Sequence, residues 1–181
     1  MMFLGPRLKV ALATTHLALA GVPAAVTEAR VERAIVHLAA LLERLGPRAP
    51  VRIAVTGLNP HAGEAGLFGR EEIERVAPGI ERARARLPGV RVDGPLGAET
   101  ALRFAASGEV EGVVCMFHDQ ATIASKLLDW GAAVNVTWGL PFVRTSVDHG
   151  VAYDAAAAGT ADASGMGAAL EMADRLAREV P

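Results

Sequence analysis

Several features are scarce in this chain, and each scarcity excludes a class of protein. The 181 residues include one cysteine, Cys115, so no disulfide can form within the chain and a reducing, cytoplasmic setting is expected. Cys115 lies inside the apolar run GVVCM and reads as a small buried hydrophobe. Basic residues are not in excess: 18 Lys and Arg against 20 Asp and Glu leave a formal charge of -2, which predicts no nucleic-acid partner. No targeting or membrane segment is expected either. The opening MMFLGPRLKVALATTHLALAG resembles a signal peptide only superficially, because Arg7 and Lys9 interrupt it and Thr14, Thr15 and His16 follow; it reads as a buried strand. Internal repeats are absent, and the run Ala155 to Ala158 is explained by helix propensity.

What is present is 51% hydrophobic content, arranged in alternating short apolar runs and longer 3.6-period stretches. VALAT leads to a helix from about Ala24 to Leu45, closed by Gly46-Pro47, and then to the strand VRIAVTGL. A helix follows from about Arg70 to Leu87, with Glu71, Glu72 and Glu74 complementing its dipole and Pro78-Gly79 dividing it. VRVDGP reads as a strand, Ala98 to Ala106 as a helix and GVVCMF as a fully buried strand. A helix from His118 to about Trp130 precedes the strands AAVNVTW and FVRTSV, which flank the turn Gly139-Leu140-Pro141. Short helix from Ala152 to Ala158 comes next. A last helix, Gly165 to Glu179, sets Met166, Leu170, Ala173 and Leu176 on one face. Such βα alternation predicts one α/β domain, a mostly parallel sheet covered by helices.

Three histidines follow apolar runs: His16 in LKVALATTH, His61 in VRIAVTGLNPH and His118 in GVVCMFHDQ. Singly, each is an ordinary strand-end residue. Strand ends on one edge of a parallel sheet converge, however, and three neutral imidazoles there can hold one divalent metal. The loop GLNPHAGEAG adds the backbone freedom that wrapping a metal or an anion needs, although a plain Gly/Pro connection would look similar. Asp119 and Gln120 can orient the ring of His118. Lys126, Asn135 and Arg144 form a second group suited to clamping a phosphate or carboxylate, since Asn135 and Arg144 sit in apolar runs where an unpaired polar group is costly.

These strings, with DGPL, HDQ and above all GLPFVRTSVDHG, resemble the 4-hydroxythreonine-4-phosphate dehydrogenases of vitamin B6 (pyridoxal phosphate) biosynthesis, over nearly the whole chain. The resemblance implies a three-layer α/β/α fold of the isocitrate/isopropylmalate dehydrogenase kind. It implies an NAD-dependent oxidoreductase acting as a homodimer, with the active site at the subunit interface and a small anionic substrate. His16, His61 and His118 then become ligands of zinc, cobalt, nickel or magnesium. Lys126, Asn135 and Arg144 become substrate-binding residues. By likeness to the adenosine-binding stretch of that superfamily, Asp154 would accept from the ribose hydroxyls and His149, Gly150 and Asp162 would lie near the adenine, with Asp154 favouring NAD over NADP. The implied reaction is oxidation of a hydroxyl to a 3-oxo acid that loses carbon dioxide, with Asp119 or a metal-bound water as general base.

Departures from the family pattern bear on the substrate. Ala65 and Ala121 stand where glycines are usual, a proline is missing from ATIASK, and Glu99 replaces an aspartate near the metal region. Related enzymes that oxidise cis-dihydrodiol carboxylates, of the terephthalate type, would want a similar cationic clamp. The family's N-terminal half, with a TxGDPAGIGPE-like opening, has no counterpart, so residues 1–181 are expected to be the C-terminal portion, truncated at the N-terminus. The alternatives are thus a dihydrodiol dehydrogenase or an inactive fragment serving as a binding or dimerisation module.

Overall fold

Successive residues of a strand face opposite sides of its sheet, and here both sets are apolar, so the sheet requires cover on both faces. The computed structural model, which describes residues 1–46 and 50–178, has that double cover. Its elements are β1 (Met2–Leu4), β2 (Lys9–Leu12), α1 (Val22–Ala25), α2 (Glu28–Arg44), β3 (Arg52–Thr56), α3 (Ala77–Arg86), β4 (Arg91–Leu96), α4 (Ala98–Ala106), β5 (Gly112–Cys115), α5 (His118–Leu128), β6 (Val134–Thr137), β7 (Arg144–Val147), α6 (Tyr153–Ala158) and α7 (Ser164–Ala177). Met2, Leu4, Ile53, Val55 and Val114 pack with buried residues of α2, α3 and α7. Phe3, Val10, Ala54, Val113 and Cys115 pack with those of α4 and α5 on the other side. This is the expected three-layer α/β/α arrangement.

The strands lie in the order β4-β3-β5-β2-β1-β6-β7. Neighbours from β4 through β2 are parallel, whereas β1 runs antiparallel to both β2 and β6, and β7 antiparallel to β6. Only β1 and β7 therefore oppose the common direction, and the sheet is mixed but mostly parallel.

Several expected boundaries shift for identifiable reasons. The opening stretch is a hairpin rather than one strand, because Gly5 to Leu8 turn under Asp129, whose carboxylate accepts from the N–H groups of Arg7 (3.2 Å) and Leu8 (2.9 Å). Helix α2 starts at Glu28 instead of Ala24, since Thr27 is extended and its hydroxyl caps Arg30 N. Pro78 does not split its helix. A π turn over Glu72–Val76 comes before it and leaves Pro78 in the first turn of α3, where its missing N–H costs nothing.

The inward face of α7 is also rotated. Met166 and Leu170 are exposed, whereas Gly165, Ala169 and Leu176 are buried, in keeping with the packing of α7 on β7 through Thr145, whose hydroxyl donates to Ala169 O. The expected stop at Pro47 and helix end at Glu179 lie outside the described residues.

Candidate active site

Parallel strands end on one edge, and that edge collects most of the predicted site. His16 follows β2, His61 follows β3, Glu99 follows β4, and His118 with Asp119 follow β5. Arg144 joins them because β7 runs the other way and begins there. Since β2 and β5 are adjacent, His16 and His118 meet: their ring centroids are 5.3 Å apart with planes inclined at 45°. Two imidazoles on one tetrahedral metal, with nitrogen–metal bonds of about 2.1 Å, would have centroids roughly 5 Å apart, so this pair fits such an ion.

His118 opens α5 rather than ending a strand, and its Nδ1 lies 2.6 Å from Asp119 Oδ1. A carboxylate there favours the proton on Nδ1 and leaves Nε2 as the ligating nitrogen. Beside the pair is an open cleft of about 440 Å³ lined by Thr15, Leu17, Leu19, Val22 and Phe117 as well as the two histidines and Asp119.

His61 does not join the pair within one chain. Its ring is exposed and neighbours Phe68, with centroids 6.1 Å apart, and among the described residues no three His, Cys, Asp or Glu side chains come within metal-holding reach. Local backbone geometry explains this placement. His61, Ala62, Gly63, Glu64 and Ala65 have positive φ, at 54°, 51°, 78°, 42° and 55°, and Gly66 follows at 100°, forming a left-handed turn in which four of six residues are not glycine. Each non-glycine residue in that region costs about 1–2 kcal/mol, so the turn persists only where its surroundings enforce it.

Lys126, Asn135 and Arg144 share a different location, the sheet face covered by α5. Asn135 is paired with Phe3 and Ser146, and Thr137 with Arg144, so these side chains alternate onto the same face. Arg144 Nη1 donates to Thr137 Oγ1 (2.8 Å) at one end, and Lys126 Nζ donates to Asp148 O (2.5 Å) at the other. Four residues of strand separate those ends, roughly 13 Å, so the three form a strip rather than a single point. Asn135 Oδ1 is buried there without a hydrogen-bond partner, as is Ser125 Oγ, and an orphaned acceptor of this kind fits a site awaiting a donor.

The predicted cofactor residues lie past the far end of β7. His149 approaches α7, where a Cβ on Gly165 would sit 3.5 Å from His149 Nε2, and its Nδ1 is 2.8 Å from Gly150 O. Asp162 caps the same helix by accepting from Ser164 N (2.8 Å), and that bond, with a smaller contribution from His149, holds its carboxyl below the usual range. Asp154 stands in the first turn of α6, exposed. One chain therefore brings His149 and Asp162 together but keeps them a strand length from the histidine edge.

A family model described as pyridoxal phosphate biosynthetic protein PdxA matches residues 1–173. The chain belongs to this PdxA family. Curated relatives named 4-hydroxythreonine-4-phosphate dehydrogenase are similar throughout: that of Geobacter metallireducens is 51% identical over 98% of the chain and 52% of the relative. That of Aromatoleum aromaticum is 50% identical over 96% and 52%. The chain spans about half the length of the curated relatives it matches.

Among solved structures, a 4-hydroxythreonine-4-phosphate dehydrogenase from Klebsiella pneumoniae superposes with a TM-score of 0.84 at 42% identity, covering 98% of this chain and 53% of that one. A terephthalate 1,2-cis-dihydrodiol dehydrogenase from Burkholderia xenovorans gives 0.76 at 31% identity, with 96% and 54% covered.

Two PdxA-family residues carry more than their spacing suggested. Gln120, expected to orient His118, instead ties α5 to β3: its Oε1 accepts from Thr56 Oγ1 (2.8 Å) and Met116 N (2.7 Å), and its Nε2 donates to Gly57 O (2.9 Å). Glu72, read as a first-turn acid, is buried beneath the His61 loop. Its place in the run EEIERV gave a signal only in hindsight, because a helix N-terminus accounts equally well for any of those acids. Glu99, by contrast, stays at the surface in the first turn of α4, where it accepts from Thr100 Oγ1.

Proposed function

We propose that the chain is the C-terminal portion of an NAD- and divalent-metal-dependent 4-hydroxythreonine-4-phosphate dehydrogenase of vitamin B6 biosynthesis, a cytoplasmic homodimer. It would oxidise 4-phosphohydroxy-L-threonine to a 3-oxo acid that decarboxylates to 3-amino-2-oxopropyl phosphate. The observation that carries this reading is the His16–His118 pair, spaced for one metal and oriented by Asp119 at the sheet edge. Among the described residues no third ligand reaches that pair, which supports supply of His61 by a second copy and an active site between subunits. No described helix is long and apolar enough to cross a membrane.

A divalent metal held by His16 and His118 would supply a Lewis acid for the substrate hydroxyl and for the carbonyl formed from it. NAD, when bound, would supply the hydride acceptor. The chain's own residues bind and orient. Arg144 and Lys126 offer cationic ends, and Asn135 an unfilled acceptor, to the anionic substrate, while Asp119, engaged with His118, holds the imidazole rather than taking the substrate proton. Asp154, Asp162, His149 and Gly150 would receive the adenosine, with the exposed carboxylate of Asp154 accepting from ribose hydroxyls.

The test is NADH formation from 4-phosphohydroxythreonine, followed by absorbance with and without zinc. Metal-dependent turnover supports the reading. Turnover of a cis-dihydrodiol carboxylate alone would select the second reading, which the 31%-identical dihydrodiol dehydrogenase keeps in view. Folded, metal-loaded but inactive protein would mark a binding or dimerisation module.

A further inference from the structure

We propose that Glu72 is the positioning residue that holds His61 in its ligand-presenting, left-handed turn, an inference that rests on the metal reading above. The Glu72 side chain is 2% exposed and lies at the root of the loop. Its Oε1 accepts from the backbone N–H groups of Leu58 and Asn59, both at 2.7 Å, and its Oε2 accepts from Asn59 Nδ2 at 3.0 Å. The loop closes over the carboxylate from both sides. A Cβ on Gly63, whose φ is 78°, would come within 2.5 Å of Oε2, whereas one on Gly57 would meet Ala62 Cα at 2.7 Å and Oε1 at 3.1 Å, so Gly63 is held against the carboxylate and Gly57 against the loop backbone.

A carboxylate is an unusual choice for this place. Among the described residues no ammonium or guanidinium lies within ion-pair distance of it, so its charge is met only by N–H dipoles at the start of the loop. Desolvating a charge is costly, and here both carboxylate oxygens accept, which a neutral amide with a single acceptor oxygen cannot reproduce; such groups persist where they enforce a conformation the chain would not otherwise adopt. Here that conformation is the run of six positive-φ residues from His61 to Gly66. The carboxylate is itself rigidly mounted. Glu72 starts the π turn that ends at the fully buried Val76, and Arg75 in the same turn donates to Pro23 O, which fixes it against the segment before α2. The position of the helix is thereby transmitted through one side chain to the loop that carries the histidine.

Glu71 provides an internal comparison. It reaches the same Asn59 Nδ2 (2.8 Å) but touches no backbone N–H of the loop. The experiment compares Glu72→Gln, Glu71→Gln and the parent chain by two readouts: amide hydrogen exchange of residues 57–69, and the visible absorption of added Co²⁺. In the parent, the Leu58 and Asn59 amides are expected to exchange more slowly than those of the exposed residues 139–143. Glu72→Gln keeps only one of the two acceptor oxygens, so its NH₂ must face either the Leu58 and Asn59 N–H groups or Asn59 Nδ2 and one set of bonds is lost; it should speed exchange of the loop amides and weaken Co²⁺ binding by at least about tenfold, with an altered band shape, while far-ultraviolet dichroism is retained. Glu71→Gln should leave the cobalt spectrum as in the parent.

An unchanged cobalt spectrum and affinity in Glu72→Gln, whether or not the loop loosens, overturns the proposal and leaves the metal reading standing. A parent that binds no Co²⁺ overturns the metal reading and this inference with it. Should Glu72→Gln fail to fold, fast exchange of Leu58 and Asn59 in the parent overturns the proposal by itself, and Glu72→Asp, which keeps the charge but shortens the reach, supplies the cobalt comparison.

Discussion

Asp119 Oδ1 lies 2.6 Å from His118 Nδ1, so the residue next in sequence fixes which nitrogen of the imidazole faces the cleft. Asp119 is largely exposed, which limits the strength of that hold. Asp119→Asn is expected to weaken zinc binding by about tenfold, the lower end of what such orienting partners contribute, without changing stability. Isothermal titration with Zn²⁺ measures it, and equal affinities would show that the ring needs no help.

Gln120 satisfies Met116 N and the buried Thr56 hydroxyl together. Gln120→Leu leaves both donors and Gly57 O without partners, and the expected loss is about 2–4 kcal/mol in urea unfolding. The same variant should disturb His118 and the His61 loop together, because Gln120 is their common tie.

Ala65 adopts φ 55° where the family usually has glycine. Ala65→Gly should relieve more strain in the native state than it adds entropy to the unfolded chain, for a net gain of about 0.5–1 kcal/mol. A lower thermal midpoint in the glycine variant would contradict the left-handed assignment.

His37 on α2 is held below its ordinary value of 6.5, first by burial and then by the Arg33 guanidinium. The unfolded chain therefore binds a proton near neutrality that the native one resists, so the stability due to neutral His37 is present above 6.5 and is lost as pH falls toward the lower native pKa. The urea midpoint should drop between about pH 7 and pH 5, and His37→Asn should flatten that slope relative to the parent.

Cys115 is buried, with its thiol pushed up to about 12 by desolvation. It should resist a disulfide reagent in the native protein and react once urea unfolds the chain. Rapid labelling under native conditions would show that β5 opens.

The α/β class and most elements were legible because apolar periodicity and Gly/Pro punctuation are local signals. The meeting of His16 with His118 was legible too, since it needs only adjacent parallel strands, and the motif strings carried the family. Less could be read where the answer depended on non-local packing. Nothing in MMFLGPRLKV says that Asp129, far along the chain, will close a hairpin there, and the periodicity of the last helix allowed two faces until Ala169 met β7. The left-handed turn at His61 was illegible for another reason: its residues are ordinary alanine, glutamate and histidine, and what enforces the turn is a carboxylate eleven positions away.

The sheet order has a consequence for how the molecule assembles. The hairpin of β1 and β2 sits at the middle of the sheet, yet its partners come late: Val10 pairs with Val113 and Phe3 with Asn135. Until those residues leave the ribosome, the hairpin has no neighbours on either side and its Phe3, Leu4 and Val10 side chains lack their cover. Closure across so long a stretch makes folding slow and leaves the nascent chain exposed to mispairing. The histidine pair, born of the β2–β5 contact, can form only once that closure is made.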